Sequence, residues 1–211
     1  MPMREMSIER RDQVLRAMAA CVVEEGIQGA SLRKVAKRAN ATTGMITHYY
    51  RSKDELINEA QRAVGRQLTE LMEKSGAKIG LDRLEAAFQL RFMEQQDVEV
   101  PPWSFFIEYW AGANRSEELR RNHVDAARRN RNRIEEDIRH EIERGGIRPD
   151  VDPELMADVI QVVYFGLGLL ATLDPEGLPP ERVLTIFRAA IAGILTESGG
   201  PEQVLETRQS S

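Results

Sequence analysis

Apolar residues recur along this chain at intervals of three and four, interrupted by short clusters of Gly, Pro, Asn and Ser, and no segment keeps the strict alternation that a half-buried strand requires. A chain patterned this way buries its apolar residues by packing helices on one another, so the expected fold class is all-α. The first helix spans Ile8 to Glu25, with Val14, Ala17, Met18, Cys21 and Val22 on one face and Gly26 as a natural stop. Ser31 can cap a two-turn helix, SLRKVAKRA, whose Leu32, Val35, Ala36 and Ala39 point inward. Asn40 to Thr43 then makes a tight turn, Thr42 or Thr43 caps a third helix through Tyr50, and Ser52 caps a fourth that starts at Lys53 and passes Leu56, Ile57, Ala60, Ala63 and Val64. Helices this short are unstable alone and must pack together. Later breaks at Gly76–Gly80, Asp97–Pro102, Asn114–Ser116, Gly145–Pro153 and Asp174–Pro180 delimit five more helices, and the tail from Ser198 is expected to fray.

Charge is divided unevenly. The chain carries a net −5, yet residues 1–66 stand at +4 and the rest at −9. No acidic residue occurs between Glu25 and Asp54, whereas Arg33, Lys34, Lys37, Arg38, Arg51 and Lys53 all fall there, as in a patch laid against phosphates; an ordinary solvated basic face has the same composition. The start, MPMREMSIERR, lacks the apolar stretch of a secretory signal, and the longest apolar run, Val162 to Ala171, is shorter than the about 20 residues that span a bilayer. A cytoplasmic protein with no membrane partner is therefore expected. Cys21, the sole cysteine, fits a buried apolar face and excludes an intramolecular disulfide.

A short helix, a tight turn and a second short helix form the helix-turn-helix plan, in which the second helix enters the major groove of DNA with its N-terminal residues toward the bases. Here that helix opens on Thr42, Thr43, Gly44 and Met45, whose hydroxyls and missing side chain permit close approach, while its N-terminal amides favour phosphate. His48, Tyr49 and Lys53 can donate to phosphates.

These residues resemble the TetR family of regulators. Its opening pattern, R-x-x-I-L-x-A-A-x-x-x-F, is met by Arg11, Val14, Leu15, Ala17, Met18 and Val22; its Gly and Ser/Thr-V-R-D-I-A by Gly26 and the segment Ser31 to Ala36. Its closing G-x-L-Y-x-Y-F-x-x-K-x-x-L is met by Gly44, Ile46, Thr47, Tyr49, Tyr50, Lys53 and Leu56, with Thr47 departing from the usual aromatic. The segments ATTGMITHYYRSKDEL and WSFFIEYWAGANRSEELRR are further similar to the BetI-like, choline-responsive branch. The resemblance implies a three-helix DNA-binding domain over 1–54, an effector-binding and dimerisation domain over 55–197, and a tail over 198–211. It implies a homodimer on a palindromic double-stranded operator, released by a small-molecule effector such as a quaternary amine, with no cofactor, no metal and no enzymatic activity. DNA-contacting candidates are Ser31, Arg33, Lys34, Thr42, Thr43, Gly44, Met45, Thr47, His48, Tyr49 and Lys53. An activator, a ligand-independent regulator, or a helical carrier or enzyme are the alternatives.

Six of the 12 aromatic residues are Trp103, Phe105, Phe106, Tyr109, Trp110 and, farther along, Tyr164. Trp103, Phe106, Tyr109, Trp110 and Tyr164 are the candidate effector site, since clustered ring faces attract a quaternary ammonium; core packing is the competing role. The segment after Gly145–Pro153 is apolar on nearly every side and needs partners on more than one face. Val162, Gly166, Leu169 and Leu170 there, with Phe187, Ala190, Ile191 and Ile194 in the last helix, are the candidate dimer interface. The run RRNRNR, Arg128 to Arg133, reads as a solvated face laced by pairs such as Arg131 to Glu135 or Arg133 to Asp137. His123 and His140 have no partner at metal-ligand spacing on their helix, and no P-loop, G-x-G-x-x-G, H-E-x-x-H or G-x-S-x-G motif is present.

Overall fold

The computed structural model describes residues 6–92 and 103–196. Among them the chain forms α1 (Ile8–Gly29), α2 (Leu32–Arg38), α3 (Thr43–Tyr49), α4 (Lys53–Lys74), α5 (Leu81–Phe92), α6 (Trp103–Ala113), α7 (Glu117–Arg144), α8 (Pro153–Leu173) and α9 (Pro180–Ala192). One isolated antiparallel bridge, Ile147 to Leu195, is the extended pairing among the described residues, so the fold is all-α. The first few residues, the Asp97–Pro102 break and the tail from Ser198 lie outside the described residues.

Helix starts follow their caps. Ser7, Ser31, Thr42 and Ser52 accept from the amides of Arg10, Lys34, Met45 and Glu55 at 3.2, 3.4, 3.1 and 2.9 Å, and Asp152 accepts from Glu154 at 3.0 Å ahead of α8, which opens on Pro153. The end of α2 is equally well defined. Asn40 takes φ 50°, the amide of Ala41 donates to the Ala36 carbonyl at 2.8 Å, and that of Asn40 to Lys37 at 3.2 Å. That left-handed cap, with Asn in place of Gly, turns the chain directly into the Thr42 cap of α3.

The described residues form two compact units, one of those up to Gln67 with 103–125, the other of 68–92 with 126–196. These do not follow the expected boundary at residue 54: the first unit also holds the start of α4, all of α6 and the start of α7. The reason is packing. Phe105, Tyr109 and Ala113 of α6 join Val14, Met18, Val22, Ile46, Leu56 and Ile57 in one core. Cys21 is buried there, as its apolar stripe requires. The Tyr109 hydroxyl donates within a closed polar cluster, lying 2.9 Å from Asn58 Oδ1 and 3.0 Å from the Leu119 carbonyl, and accepts from Asn122 Nδ2 at 2.9 Å. Asn122 also accepts from Arg62, which pairs with Glu59, and Glu59 pairs with Arg11 of α1 at 2.5 Å.

In the second unit Phe88 stacks on Phe187 at 3.8 Å within a core of Leu84, Ile138, Ile147, Ile160 and Val183. Two carboxylates of α7 cap α5 from outside its own sequence: Asp137 accepts from the Gly80 amide at 2.6 Å and pairs with Arg83 at 2.8 Å, and Glu141 accepts from Leu81 at 3.4 Å. Burial pushes the Asp137 carboxyl up, against the opposing pull of the Gly80 amide and Arg83. Gly80, at φ 113°, has no room for a side chain beneath Glu141. The expected pairs along α7 do not form. Arg131 reaches across to Glu154 and to Asp158 of α8, at 2.6 Å for the latter, while Glu135 is held by Arg139 at 2.6 Å; Arg133 donates to Thr69, and Asp137 is taken by Arg83.

If the Asn40 cap terminates α2 as described, Asn40→Ala loses about 1 kcal/mol of stability in a urea titration, whereas Asn40→Gly loses none, because only the alanine is strained at positive φ.

Candidate nucleic-acid interface

Helices α2 and α3 bury Val35, Ala36 and Ile46 against α1 and leave the opposite side to solvent. On α3 that exposed side carries Thr43, Gly44, Thr47 and His48; Met45 and Tyr49 are half-buried and pack on the core. Gly44 is informative. A side-chain carbon there would meet no atom within 4 Å and the residue has ordinary helical geometry, so nothing inside the protein requires a glycine. Its bareness suits something that approaches the first turn of α3 from outside, where the peptide amides point. Ser31 and Thr42 spend their hydroxyls on helix caps, Thr47 donates to the Gly44 carbonyl at 3.2 Å, and His48 meets Tyr49 edge to face at 4.9 Å.

The basic residues divide by partner. Lys34 pairs with Glu25 and donates to the Gly29 carbonyl, and Arg38 pairs with Glu24 at 2.6 Å, so both fasten α2 to α1. Lys53, expected on a phosphate, donates to the Ile27 carbonyl at 2.8 Å. Arg33 and Lys37, one turn apart on α2, are exposed and make no ion pair among the described residues. Lys37 was not among the expected contacts, although its spacing from Arg33 puts both on one face.

The candidate effector rings fall into two groups. Trp103, Phe106 and Trp110 form one on α6, with ring centres 5.7, 6.3 and 6.3 Å apart, and His123 lies 6.1 Å from Trp110, its imidazolium disfavoured by burial. Tyr109 is not a lining residue: it is fully buried and its hydroxyl is consumed by the cluster described above. Tyr164 belongs to the second unit, where it meets Phe88 and Phe92 edge to face at 5.0 and 5.8 Å and its hydroxyl, beside Arg91, is pushed up to about 12 by burial.

The candidate interface residues divide as well. Val162 is 70 % exposed, Leu170 52 % and Leu169 37 %, and with Leu155, Val159, Gly166 and Leu173 they follow one stripe of α8. Phe187, Ile191 and Ile194 correct the expectation. All three are buried in the unit's own core, which fixes the phase of α9 and turns Thr185, Ala189 and Ala192 outward instead, with Ala190 half-buried at the margin. Helix α8, 21 residues long, is also long and apolar enough to cross a membrane, more than the Val162–Ala171 run implied; its Ala157, Ile160 and Leu167 are nonetheless core residues and its Glu154 and Asp158 hold Arg131.

A three-helix head with an exposed, acid-free first turn on its second short helix, followed by a larger helical unit, defines a helix-turn-helix DNA-binding regulator. The comparisons agree. The sequence model of bacterial regulatory proteins of the tetR family matches residues 14–60, and that of the BetI-type transcriptional repressor C-terminal domain matches residues 81–196. The chain belongs to the TetR family, with a C-terminal half of BetI type. It is similar to the transcriptional regulator BetI of Stenotrophomonas maltophilia, 28 % identical over 176 residues that cover 82 % of this chain and 86 % of that protein, and to BetI of Yersinia pestis, 28 % identical over 191 residues covering 89 % and 93 %. Among solved structures, a transcriptional regulator from Pseudomonas aeruginosa superposes with a TM-score of 0.71 at 28 % identity, covering 88 % of this chain and 89 % of that one. A regulator from Saccharomonospora viridis in complex with choline shares the fold at a TM-score of 0.76 and 18 % identity, covering 90 % and 100 %. The family regulates transcription and is not enzymatic.

Two variants test the interface. Gly44→Ala is expected to leave stability unchanged or raise it by up to about 1 kcal/mol, since it adds a better helix former in open space, while weakening DNA binding in a fluorescence anisotropy titration. Arg33→Ala is expected to lower the slope of log K against log salt by about one unit and to weaken all sequences alike.

Proposed function

We propose that this regulator is a homodimeric repressor whose hold on a palindromic operator is released by a small cation of the quaternary ammonium class. The exposed stripe of α8 carries the dimer reading. Leu155, Val159, Val162, Leu169, Leu170 and Leu173 leave apolar surface in water that a second copy would cover, each gaining on burial a share of the about 1.5–3 kcal/mol for a fully exposed side chain, in proportion to the 37–70 % of each still exposed. Gly166 is on the same stripe with open space around it, and the small outward residues of α9 allow close approach. A two-fold pair of heads presents two α3 helices to successive major grooves, about 34–36 Å apart on DNA, which makes the operator palindromic. Its place of action is the cytoplasm, with the DNA.

The ring triad on α6 supports the effector reading. Trp103, which is 8 % exposed, and the half-buried Phe106 and Trp110 have ring centres 5.7–6.3 Å apart, and a cation held within about 6 Å of a ring face is attracted by about 0.5–2 kcal/mol per ring according to desolvation. Tyr164 is a poorer contact for a cation, because it shares its surroundings with the guanidinium of Arg91. The choline bound by the Saccharomonospora viridis regulator is a ligand of this class.

Choline is expected to raise the melting temperature, and its neutral isostere 3,3-dimethylbutan-1-ol to do so far less, because only the cation gains from the ring faces. Trp110→Leu should remove the difference; equal shifts from the two compounds in the unaltered protein would rule out cation recognition. For the dimer, Leu169→Glu is expected to yield folded monomers in sedimentation at micromolar concentration, whereas Phe187→Ala should lower stability by about 3–5 kcal/mol through the core.

A further inference from the structure

Helix α6, WSFFIEYWAGA, carries one charged residue, Glu108. A carboxylate on an otherwise apolar, packed helix is unfavourable unless it accepts hydrogen bonds, and Glu108 accepts one from an unusual donor. Gly26, at φ 70° and ψ 168°, interrupts the hydrogen-bond ladder of α1, and the amide of Ile27 donates to Glu108 Oε2 at 3.3 Å. The same carboxylate roofs Gly26, where a side-chain carbon would stand 3.0 Å from Oε2. The carbonyl of Ile27 is held in turn by Lys53 at the start of α4, at 2.8 Å. The side chain of Ile27 is buried and so close to Gly112 of α6 that any larger residue there would collide with it. Ile27 is therefore gripped by its amide, its carbonyl and its side chain. It lies four residues before the Ser31 cap of α2, and Lys34 ties α2 back to the Gly29 carbonyl in the same turn.

We propose that Glu108 and Lys53 are positioning residues for DNA binding: they clamp Ile27 from α6 and α4 and thereby fix the seat of the helix-turn-helix, so that α6 sets DNA affinity through Glu108. This rests on α3 being the helix that meets DNA. Neither residue need touch a phosphate, and Lys53 acts through the Ile27 carbonyl.

The test uses the full chain and a labelled duplex selected by the unaltered protein from a randomised library, titrated at several salt concentrations. Glu108→Leu and Lys53→Met are each expected to weaken binding by about fivefold to tenfold, the size of one hydrogen bond, with an unchanged salt slope. The double variant should be little weaker than either, since both act on one residue. Glu108→Gln, whose amide oxygen still accepts from Ile27, should bind as the unaltered protein does. Hydrogen exchange should show the Ile27 amide losing protection in Glu108→Leu while the amides of Leu56 and Ile57 keep theirs; Glu108→Ala serves if the leucine variant fails to fold. A folded Glu108→Leu or Glu108→Ala with full affinity, a Glu108→Gln as weak as the leucine variant, or a Lys53→Met that lowers the salt slope by about one would overturn the proposal. Arg33→Ala, run alongside, separates the two readings: an unchanged slope there counts against the interface on α2 and α3, not against the clamp.

Discussion

The first unit depends on the broken ladder of α1 at Gly26. A φ of 70° is open to glycine and strained for other residues, and it lets a long helix end and re-enter one more turn before Ala30 and the Ser31 cap. Without the break, α1 would run on past its packing partners and α2 could not fold back across it. The break also exposes backbone groups that need partners. Those partners come from Glu108 of α6 and Lys53 of α4, helices that already share the head's apolar core.

Charge in this head is arranged in two layers. Glu24 and Glu25 end the acidic part of α1 and neutralise Arg38 and Lys34, the cations that face it. These exposed pairs contribute little to stability. The cations left over, Arg33 and Lys37, lie one turn apart on α2, about 100° round the helix from Lys34 and Arg38, and are exposed. A protein with net charge −5 can thus present a positive face where it meets DNA, and the long-range repulsion from the rest of the chain is screened beyond about 10 Å.

Much of this was legible in the sequence. The caps at Ser31, Thr42 and Ser52, the interruption of α1 at Gly26 and the breaks at Gly76–Gly80, Asn114–Ser116, Gly145–Pro153 and Asp174–Pro180 are local chemistry, and local chemistry decides them. What failed was non-local. Periodicity shows that Phe187, Ile191 and Ile194 share a face of α9, but not whether that face meets its own unit or a second copy; Phe88, a hundred residues away, decides by stacking on Phe187. Tyr109 looks like its ring neighbours until Asn58, Asn122 and the Leu119 carbonyl converge on its hydroxyl. Arg131 has Glu135 one turn away yet turns to Glu154 and Asp158, which the sequence places more than twenty residues on. Lys53 occupies the motif position of a phosphate contact, and nothing in its neighbours announces the Ile27 carbonyl.

The size of the contacts at Ile27 also limits what they can transmit. The hydrogen bonds at Ile27 act on one residue and do not add, so a bond worth about 0.5–1.5 kcal/mol net bounds the coupling through it at about that size per head, the lower part of the usual range for coupling between sites. A ligand on the α6 rings can draw on that energy only if it binds better when Glu108 has left Ile27 than when it has not; equal binding to both arrangements moves nothing, however tight. If two such heads shared one operator, as the proposed dimer would place them, the available difference would double. Tight burial of Tyr109 serves the same end. Its hydroxyl is locked to α4 and α7, which pins α6 between Glu108 and Trp110, the neighbours of Tyr109 on either side.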